Sequence, residues 1–245
     1  MTSVSRSDEP ITVDSLYEVL RRRILVGDLR PGAILSQVKL ADAFGTGRTP
    51  LREALRMLQR EGLVDAEYNR RVRVAALTTS ELEEIYARRV VLEAMAMRAS
   101  IPRFAAAELD ELQALQAEME SFMPNPAERL QEWEVPHRAF HELLVRHAGA
   151  SIVRDVAELQ DHAERYRAIL GTSLPASFAP GAAEHARLVA CCLERDTREA
   201  GRTLARHLAR AGLALVSQTD PTHDAVALRE ALRLVLGDEP ANNLA

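Results

Sequence analysis

Residues 36–74 read SQVKLADAFGTGRTPLREALRMLQREGLVDAEYNRRVRV, and this stretch decides the fold of the N-terminal part of the chain. Its apolar spacing predicts two short helices, at residues 36–44 and 49–61, separated by a turn that contains two glycines. A hairpin of two short strands follows, at residues 63–67 and 72–76, and carries basic residues between its strands. Two helices, a glycine turn and a basic hairpin together predict a winged helix-turn-helix.

The second predicted helix carries cations along one face. Arg48, Arg52 and Arg56 follow one another at intervals of four residues, so they project from the same side. The opposite side holds apolar residues for packing, namely Leu51, Ala54, Leu55 and Leu58. An ordinary amphipathic helix with a solvated arginine face is the alternative, but it leaves the turn and the basic hairpin unexplained. The arginine face therefore favours a helix that enters the major groove of DNA.

Six residues are predicted to contact DNA: Arg48, Thr49, Arg52, Arg56, Arg70 and Arg71. We expect Arg48 and Arg52 to reach bases or phosphates, because a guanidinium can make two parallel hydrogen bonds to guanine or phosphate. Arg56 and the two hairpin arginines are expected on the DNA backbone. Thr49 is also expected to cap the second helix.

Charge is distributed unevenly along the 245 residues, whose net charge is −5. Residues 11–77 hold 12 basic and 8 acidic side chains, whereas residues 78–245 hold 18 basic and 26 acidic ones. A basic head joined to an acidic body is typical of a DNA-reading domain attached to a part that does not touch DNA.

Composition also limits the cellular setting. No run of about 18 apolar residues is present, so we expect no membrane span. The N-terminus lacks a basic segment followed by an apolar one, which predicts a cytoplasmic protein. The two cysteines, Cys191 and Cys192, are neighbours in a predicted helix, and we expect both to be reduced core thiols.

After the hairpin the sequence predicts helices throughout, because no strand-like alternation follows Val74. The predicted helices lie near residues 80–99, 106–121, 126–148, 151–171, 178–195, 197–217 and 223–236. Ser80 and Glu83 are expected to form a capping box at the start of the first. The predicted fold is mainly α, an N-terminal winged helix-turn-helix plus a C-terminal all-α bundle of six to seven helices.

These patterns divide the chain into four segments. The predicted segments are a disordered N-terminus at residues 1–10, a winged helix-turn-helix at residues 11–77, an all-α bundle at residues 78–220 and a tail helix at residues 221–245.

Four histidines of the C-terminal part lie on apolar stripes: His137, His141, His185 and His207. The first two are one helical turn apart, a spacing at which two imidazoles can bind one metal ion. A single inward histidine is usually a hydrogen-bonded core residue, but every buried imidazole needs a partner. The pattern leaves two interpretations open, a shared metal site or four separately satisfied core histidines.

Arg89 also lies on a core-facing stripe, four residues after Ile85 and three before Leu92. Arginine is almost never buried without a partner. One interpretation is an ion pair with a glutamate of the bundle. The other is a clamp for a carboxylate ligand, which the planar guanidinium suits.

The N-terminal motifs resemble the GntR family of bacterial transcription regulators. The family pattern contains Leu-Ala, Gly, Ser-Arg-Thr-Pro-Val-Arg-Glu-Ala-Leu and Glu-Gly-Leu-Val. The matching residues here are Leu40-Ala41, Gly45, Gly47 to Leu55, Leu58 and Glu61 to Val64. The resemblance runs from about Leu16 to Val74, with two departures. Gly47 replaces the usual serine, and Arg71 replaces the usual wing glycine.

The C-terminal part is similar to the all-helical FCD effector-binding domain of the FadR-like subgroup of that family. An Arg-x-x-Leu-Glu signature matches Arg89 to Glu93, and an Asp-x-x-Phe-His signature matches His137 to His141, with His137 where Asp is usual. His185 and His207 match two later histidines of the family. The resemblance implies a divalent transition metal held by these residues, with an organic acid bound beside the metal and contacted by Arg89.

The four-histidine set departs from the family in having no anionic ligand. Four neutral nitrogens favour Zn²⁺, Ni²⁺ or Cu²⁺ over Mn²⁺, and we expect Zn²⁺ or Ni²⁺. The alternative is a metal site that has been rebuilt or lost.

The leading functional hypothesis is a ligand-responsive transcription regulator, not an enzyme. It would bind a pseudo-palindromic DNA operator as a homodimer, under the control of a small carboxylate effector. The alternative is a metal-dependent hydrolase or lyase on the bundle, since zinc held by histidines can activate water. Glu134 and Glu184 are the nearby candidates for a general base, and both are expected to be solvated. An architectural protein with an inert bundle would leave Arg89 and the histidines unexplained.

Overall fold

The computed structural model describes residues 12–65, 71–123, 128–170 and 178–237. The chain divides into two compact units, residues 1–76 and 77–245. None of the described helices is long and apolar enough to cross a membrane.

The N-terminal unit is a winged helix-turn-helix, as the sequence predicts. Its helices are α1 (Val13–Leu25), α2 (Gln37–Phe44) and α3 (Arg48–Arg60), and its strands are β1 (Ile34–Leu35), β2 (Val64–Asp65) and β3 (Val72–Val74). The strands form an antiparallel sheet in the order β1-β3-β2. The sequence predicts only the hairpin, because the two residues of β1 are too few to show a period-two pattern.

The turn between α2 and α3 depends on its glycines. Ser36 caps α2 by accepting a hydrogen bond from the Lys39 amide, and Gly45 ends the helix with a left-handed φ of 58°. The residue that caps α3 is Gly47, which has no side chain to accept a hydrogen bond. The prediction that Thr49 caps α3 is therefore wrong, because the helix begins one residue earlier, at Arg48.

The apolar face of α3 closes the core of this unit. The buried residues of α3 are Leu51, Ala54, Leu55 and Leu58, as its sequence pattern predicts. They share one hydrophobic cluster with Leu16, Leu20 and Ile24 of α1.

The described part of the C-terminal unit is helical. Its helices are α4 (Thr79–Ser100), α5 (Ala106–Ser121), α6 (Leu130–Val145), α7 (Ala150–Leu170), α8 (Phe178–Glu194), α9 (Thr197–Thr219) and α10 (Val226–Leu236), with a 3₁₀ turn at Ile101–Arg103. Helix α4 is central and packs against α6, α7, α9 and α10. Cys191 and Cys192 are buried free thiols in this core.

Glu83 does not form the predicted capping box with Ser80. Thr78 caps α4 instead, because the helix begins at Thr79 and Ser80 is already its second residue. Glu83 is buried, and its carboxylate accepts a hydrogen bond from the Ala227 amide at 2.6 Å while facing His223 Nε2 at 2.6 Å. The carboxylate thus caps the start of α10 and joins that helix to the bundle core.

Helices α4 and α9 approach closely at Gly212. A Cβ atom placed on Gly212 would lie 2.7 Å from Cγ of the buried Tyr86 ring. Glycine costs about 1 kcal/mol relative to alanine inside a helix, so its use in the middle of α9 reflects the space that Tyr86 fills.

The variant Gly212→Ala is therefore expected to lower the free energy of unfolding by about 1–3 kcal/mol, because overpacking outweighs the gain in helix propensity. Thermal and urea unfolding followed by circular dichroism would measure the change. Gly181→Ala in α8 is the matched control, since its Cβ would meet Arg210 Nη2 at an ordinary 3.5 Å. Equal stability of the two variants would contradict the close approach.

Candidate metal site and DNA-binding surface

Helix α3 presents its arginines to solvent. Arg48, Thr49, Arg52 and Arg56 are all exposed on the side opposite its buried leucines. Arg56 Nη1 lies 2.8 Å from Glu53 Oε1 on the same surface. Arg71 is exposed immediately before β3, whereas Arg70 lies outside the described residues.

The four histidines of the apolar stripes meet inside the C-terminal unit. His137 and His141 come from α6, His185 from α8 and His207 from α9, and all four are buried. One ring nitrogen of each lies within 4.8 Å of one ring nitrogen of every other. Zinc–nitrogen bonds of about 2.0–2.1 Å place ligand nitrogens roughly 3.3–4.2 Å apart. The cluster is therefore close to the size that one metal ion needs.

Unsatisfied ring nitrogens support the fit to a metal. Both ring nitrogens of His141 and Nε2 of His185 are buried without a hydrogen-bond partner in the described part of the chain. His141 Nδ1 lies 3.5 Å from Glu93 Oε2, at the outer limit of hydrogen bonding. A buried polar atom without a partner costs about 1–3 kcal/mol. A metal in the cluster would satisfy the inward nitrogens.

Burial keeps these imidazoles neutral. It lowers the pKa of His137 to about 4, although the Glu134 carboxylate opposes the change. The pKa values of His141 and His185 are lowered well below the ordinary range by the same loss of hydration. Burial also lowers the pKa of His207, against the effect of Glu184. Neutral imidazoles carry the lone pairs that metal binding requires.

Arg89 is 2% exposed and makes the ion pair that one interpretation of its sequence position expects. Its Nε donates to Glu93 Oε1 at 2.6 Å, and its guanidinium carbon lies 5.2 Å from the ring centroid of Tyr86. Burial raises the pKa of Glu93, but Arg89 and His141 outweigh it and bring the pKa to about 2. Arg89 and Glu93 therefore form a buried, charged pair.

A cavity of about 90 Å³ lies beside the histidines. This volume has room for several water-sized groups, and so for a small organic ligand. The polar lining includes all four clustered histidines together with Arg89, Glu134, Arg167 and Arg210. The apolar lining includes Tyr86, Leu130, Trp133, Leu208, Ala211 and Leu215. The Trp133 ring is stacked on His137, with a centroid distance of 4.2 Å.

The two glutamates near the histidines are less exposed than the sequence predicts. Glu134, expected to be solvated, is only 6% exposed, and Glu184 is partly buried. Each contacts one clustered histidine and one arginine, Arg167 or Arg210. In the sequence, only the spacing of Glu134 three residues before His137 on one predicted helix indicates that these two side chains are in contact.

Comparison with known proteins identifies both units. Residues 12–74 match the model of bacterial regulatory proteins of the gntR family, and residues 84–210 match the FCD domain. The HTH-type transcriptional repressor GlaR of Escherichia coli is 32% identical over 211 residues, which cover 81% of this chain and 94% of GlaR. The uncharacterised regulator YdhC of Bacillus subtilis is 33% identical over 129 residues, 53% of this chain and 57% of YdhC.

A solved structure has the same fold. The Escherichia coli protein McbR/YncC superposes with a TM-score of 0.72 at 21% identity, covering 85% of this chain and 98% of that one. Together with the two family matches, relatives named as regulators and repressors indicate a regulator and not an enzyme. The chain therefore belongs to the GntR family as a DNA-binding transcription regulator, with an FCD domain after its winged helix-turn-helix.

Proposed function

We propose that this regulator binds a pseudo-palindromic operator as a homodimer and responds to a small carboxylate held in its metal-containing helical domain. We assign DNA binding to residues 11–77 and effector binding with dimerisation to residues 78–220. The observation that carries the proposal is the buried four-histidine cluster, which opens onto a cavity lined by arginine.

The donor set supports Zn²⁺ or Ni²⁺ as the metal. His137, His141, His185 and His207 offer four neutral nitrogens, and such a set suits Zn²⁺, Ni²⁺ or Cu²⁺ better than Mn²⁺. When bound, the metal would supply a Lewis-acidic position for a carboxylate oxygen.

The cavity lining supports an organic acid as the effector. Arg89, Arg167 and Arg210 bring positive charge to the cavity, and leucine and aromatic side chains form its apolar side. A guanidinium suits a carboxylate, and an apolar wall suits a carbon skeleton. Arg89 already pairs with Glu93, so an entering acid would share this guanidinium or replace one of its contacts.

Contacts at the start of α4 support a path from the cavity to the linker. The Thr78 amide donates to the Tyr166 hydroxyl at 3.0 Å, and that hydroxyl lies 2.6 Å from Glu81 Oε2. Tyr166 is the neighbour of Arg167, which lines the cavity. Helix α4, which bears Arg89, begins at Thr79, close to the boundary between the units at residues 76 and 77. An effector that favours one arrangement of these helices would bias the DNA-reading units.

The variant Arg52→Ala is expected to weaken operator binding by about 1–3 kcal/mol, because one base or phosphate contact is lost. Fluorescence anisotropy would measure binding to an operator selected in vitro with the unmodified protein. Wild-type affinity should fall steeply with salt, since phosphate contacts release counterions. Arg22→Ala is the control, an exposed arginine on α1. Unchanged affinity of Arg52→Ala would show that the recognition face is wrongly assigned.

The protein in solution is expected to have twice the chain mass of 27.1 kDa. A single reading head makes too few contacts for tight specific binding, whereas a two-fold dimer reads two symmetric half-sites. Light scattering at micromolar concentration would measure the mass. A monomer that still binds its operator tightly would refute the dimer.

The variant His141→Ala is expected to lower metal content and, with it, affinity for the effector. Arg89→Ala should retain the metal, because Arg89 is not one of the four proposed metal ligands, and should lower affinity for the acid that Arg89 is proposed to contact. Elemental analysis of purified protein and a thermal-shift screen of small carboxylic acids would measure both. His147→Ala is the control, since His147 pairs with Glu108 away from the cluster. Metal-free protein that binds the effector with unchanged affinity would rule out the joint site.

A further inference from the structure

We propose that Glu134 and Glu184 are positioning residues, each of which, held by an arginine, aims one histidine of the cluster at the metal. The inference rests on the proposed metal site and adds residues that are not themselves ligands. Each carboxylate contacts an imidazole at Nδ1, which leaves Nε2 of that imidazole for the cluster.

The first chain of contacts joins α6 to α7. Glu134 Oε2 lies 3.3 Å from His137 Nδ1, one helical turn along α6. Arg167 of α7 donates to both carboxylate oxygens, from Nε to Oε1 at 2.6 Å and from Nη2 to Oε2 at 2.9 Å. The fork therefore holds the carboxylate at both oxygens, and the carboxylate cannot turn away from His137 without breaking it.

The second chain repeats this arrangement between α8 and α9. Glu184 Oε2 of α8 accepts from His207 Nδ1 at 2.7 Å. Arg210 of α9 donates to both oxygens, from Nε to Oε1 at 2.8 Å and from Nη2 to Oε2 at 2.6 Å. In this second chain of contacts the arginine and the histidine lie on the same helix. In the first, the glutamate and the histidine do. The same contacts are thus built from two different sequence arrangements.

A third chain of contacts, from Arg89 through Glu93 to His141, is looser. Arg89 makes one hydrogen bond to Glu93, through Nε, and Glu93 Oε2 lies 3.5 Å from His141 Nδ1. Gln160 Nε2 also donates to that oxygen at 3.5 Å. Because the oxygen is at the outer limit of hydrogen bonding to both groups, Glu93 constrains His141 less than the other two glutamates constrain their histidines.

The chemistry of imidazole explains what the two close chains do. A carboxylate that accepts a hydrogen bond from Nδ1–H keeps the proton on Nδ1, so that the lone pair lies on Nε2. It also makes that nitrogen a more basic ligand and fixes the plane of the ring. These effects matter in a site whose four ligands are all neutral, because none of the ligands brings negative charge of its own.

The test is metal affinity of the full chain, freed of metal with a chelator and titrated with Zn²⁺ or Ni²⁺ in competition with an indicator chelator. Glu134→Gln and Glu184→Gln are each expected to lower affinity about 10–100-fold. Glu108→Gln is the matched control, since Glu108 contacts His147 Nε2 at 2.9 Å away from the cluster. Wild-type affinity in both site variants would overturn the inference.

A double variant separates positioning from a merely structural role. Glu134→Leu with Arg167→Met removes both charges, so no buried ion is left unpaired and the metal-free protein should unfold near the wild-type temperature. Metal affinity should stay about 10–100-fold low, because His137 still lacks its carboxylate. Recovery of wild-type affinity would mean that Glu134 serves only to neutralise Arg167. If the wild type itself bound neither metal, the proposed metal site would fail, and this inference with it.

Discussion

Charge compensation inside an apolar core is the constraint on which the C-terminal unit depends. Arg89 is buried and pairs with Glu93. Arg167 and Arg210 are partly buried, and each pairs with a glutamate of a neighbouring helix. Removing one partner of a buried ion pair costs about 3–5 kcal/mol, a large part of the roughly 5–15 kcal/mol that stabilises a typical domain. Sliding α7 along α6 by one turn would separate Arg167 from Glu134. The pairs made by Arg167 and Arg210, each of which joins two helices, therefore fix how those helices meet around the histidine cluster.

The N-terminal unit follows the opposite rule and keeps its charges outside. Helix α3 buries Leu51 and Leu58 against α1 and leaves Arg48 and Arg52 in solvent, so one helix both completes the core and carries the proposed DNA-binding face. A short turn through the left-handed Gly45 sets the direction in which α3 leaves α2. The burial of the leucine face thus determines which way the arginine face points.

The spacing of apolar residues predicts most of the helices, because it shows which face of each helix is buried. The α3 arginines and the four histidines were recognised by their positions relative to apolar stripes. Caps were predicted less well, since Thr78 and Ser80 both qualify chemically and only the packed helix start separates them. The buried state of Glu134 was missed for a different reason. Its partner Arg167 lies 33 residues away on another helix, and no local pattern records a contact of that kind.

The same pairing that stabilises the cluster also makes it a sensitive place for a ligand to act. A typical allosteric coupling is about 1–3 kcal/mol, and a hydrogen bond to a charged group is worth about 1.5–3 kcal/mol. An anion that drew Arg89 away from Glu93 would therefore change the free energy of the helical unit by about as much as an allosteric coupling requires. Because Arg89 lies on α4 and Arg167 adjoins Tyr166, which binds the Thr78 amide, such a change would reach the start of α4 through contacts already in place. A core held together by leucine alone would offer an anion no contact to exchange.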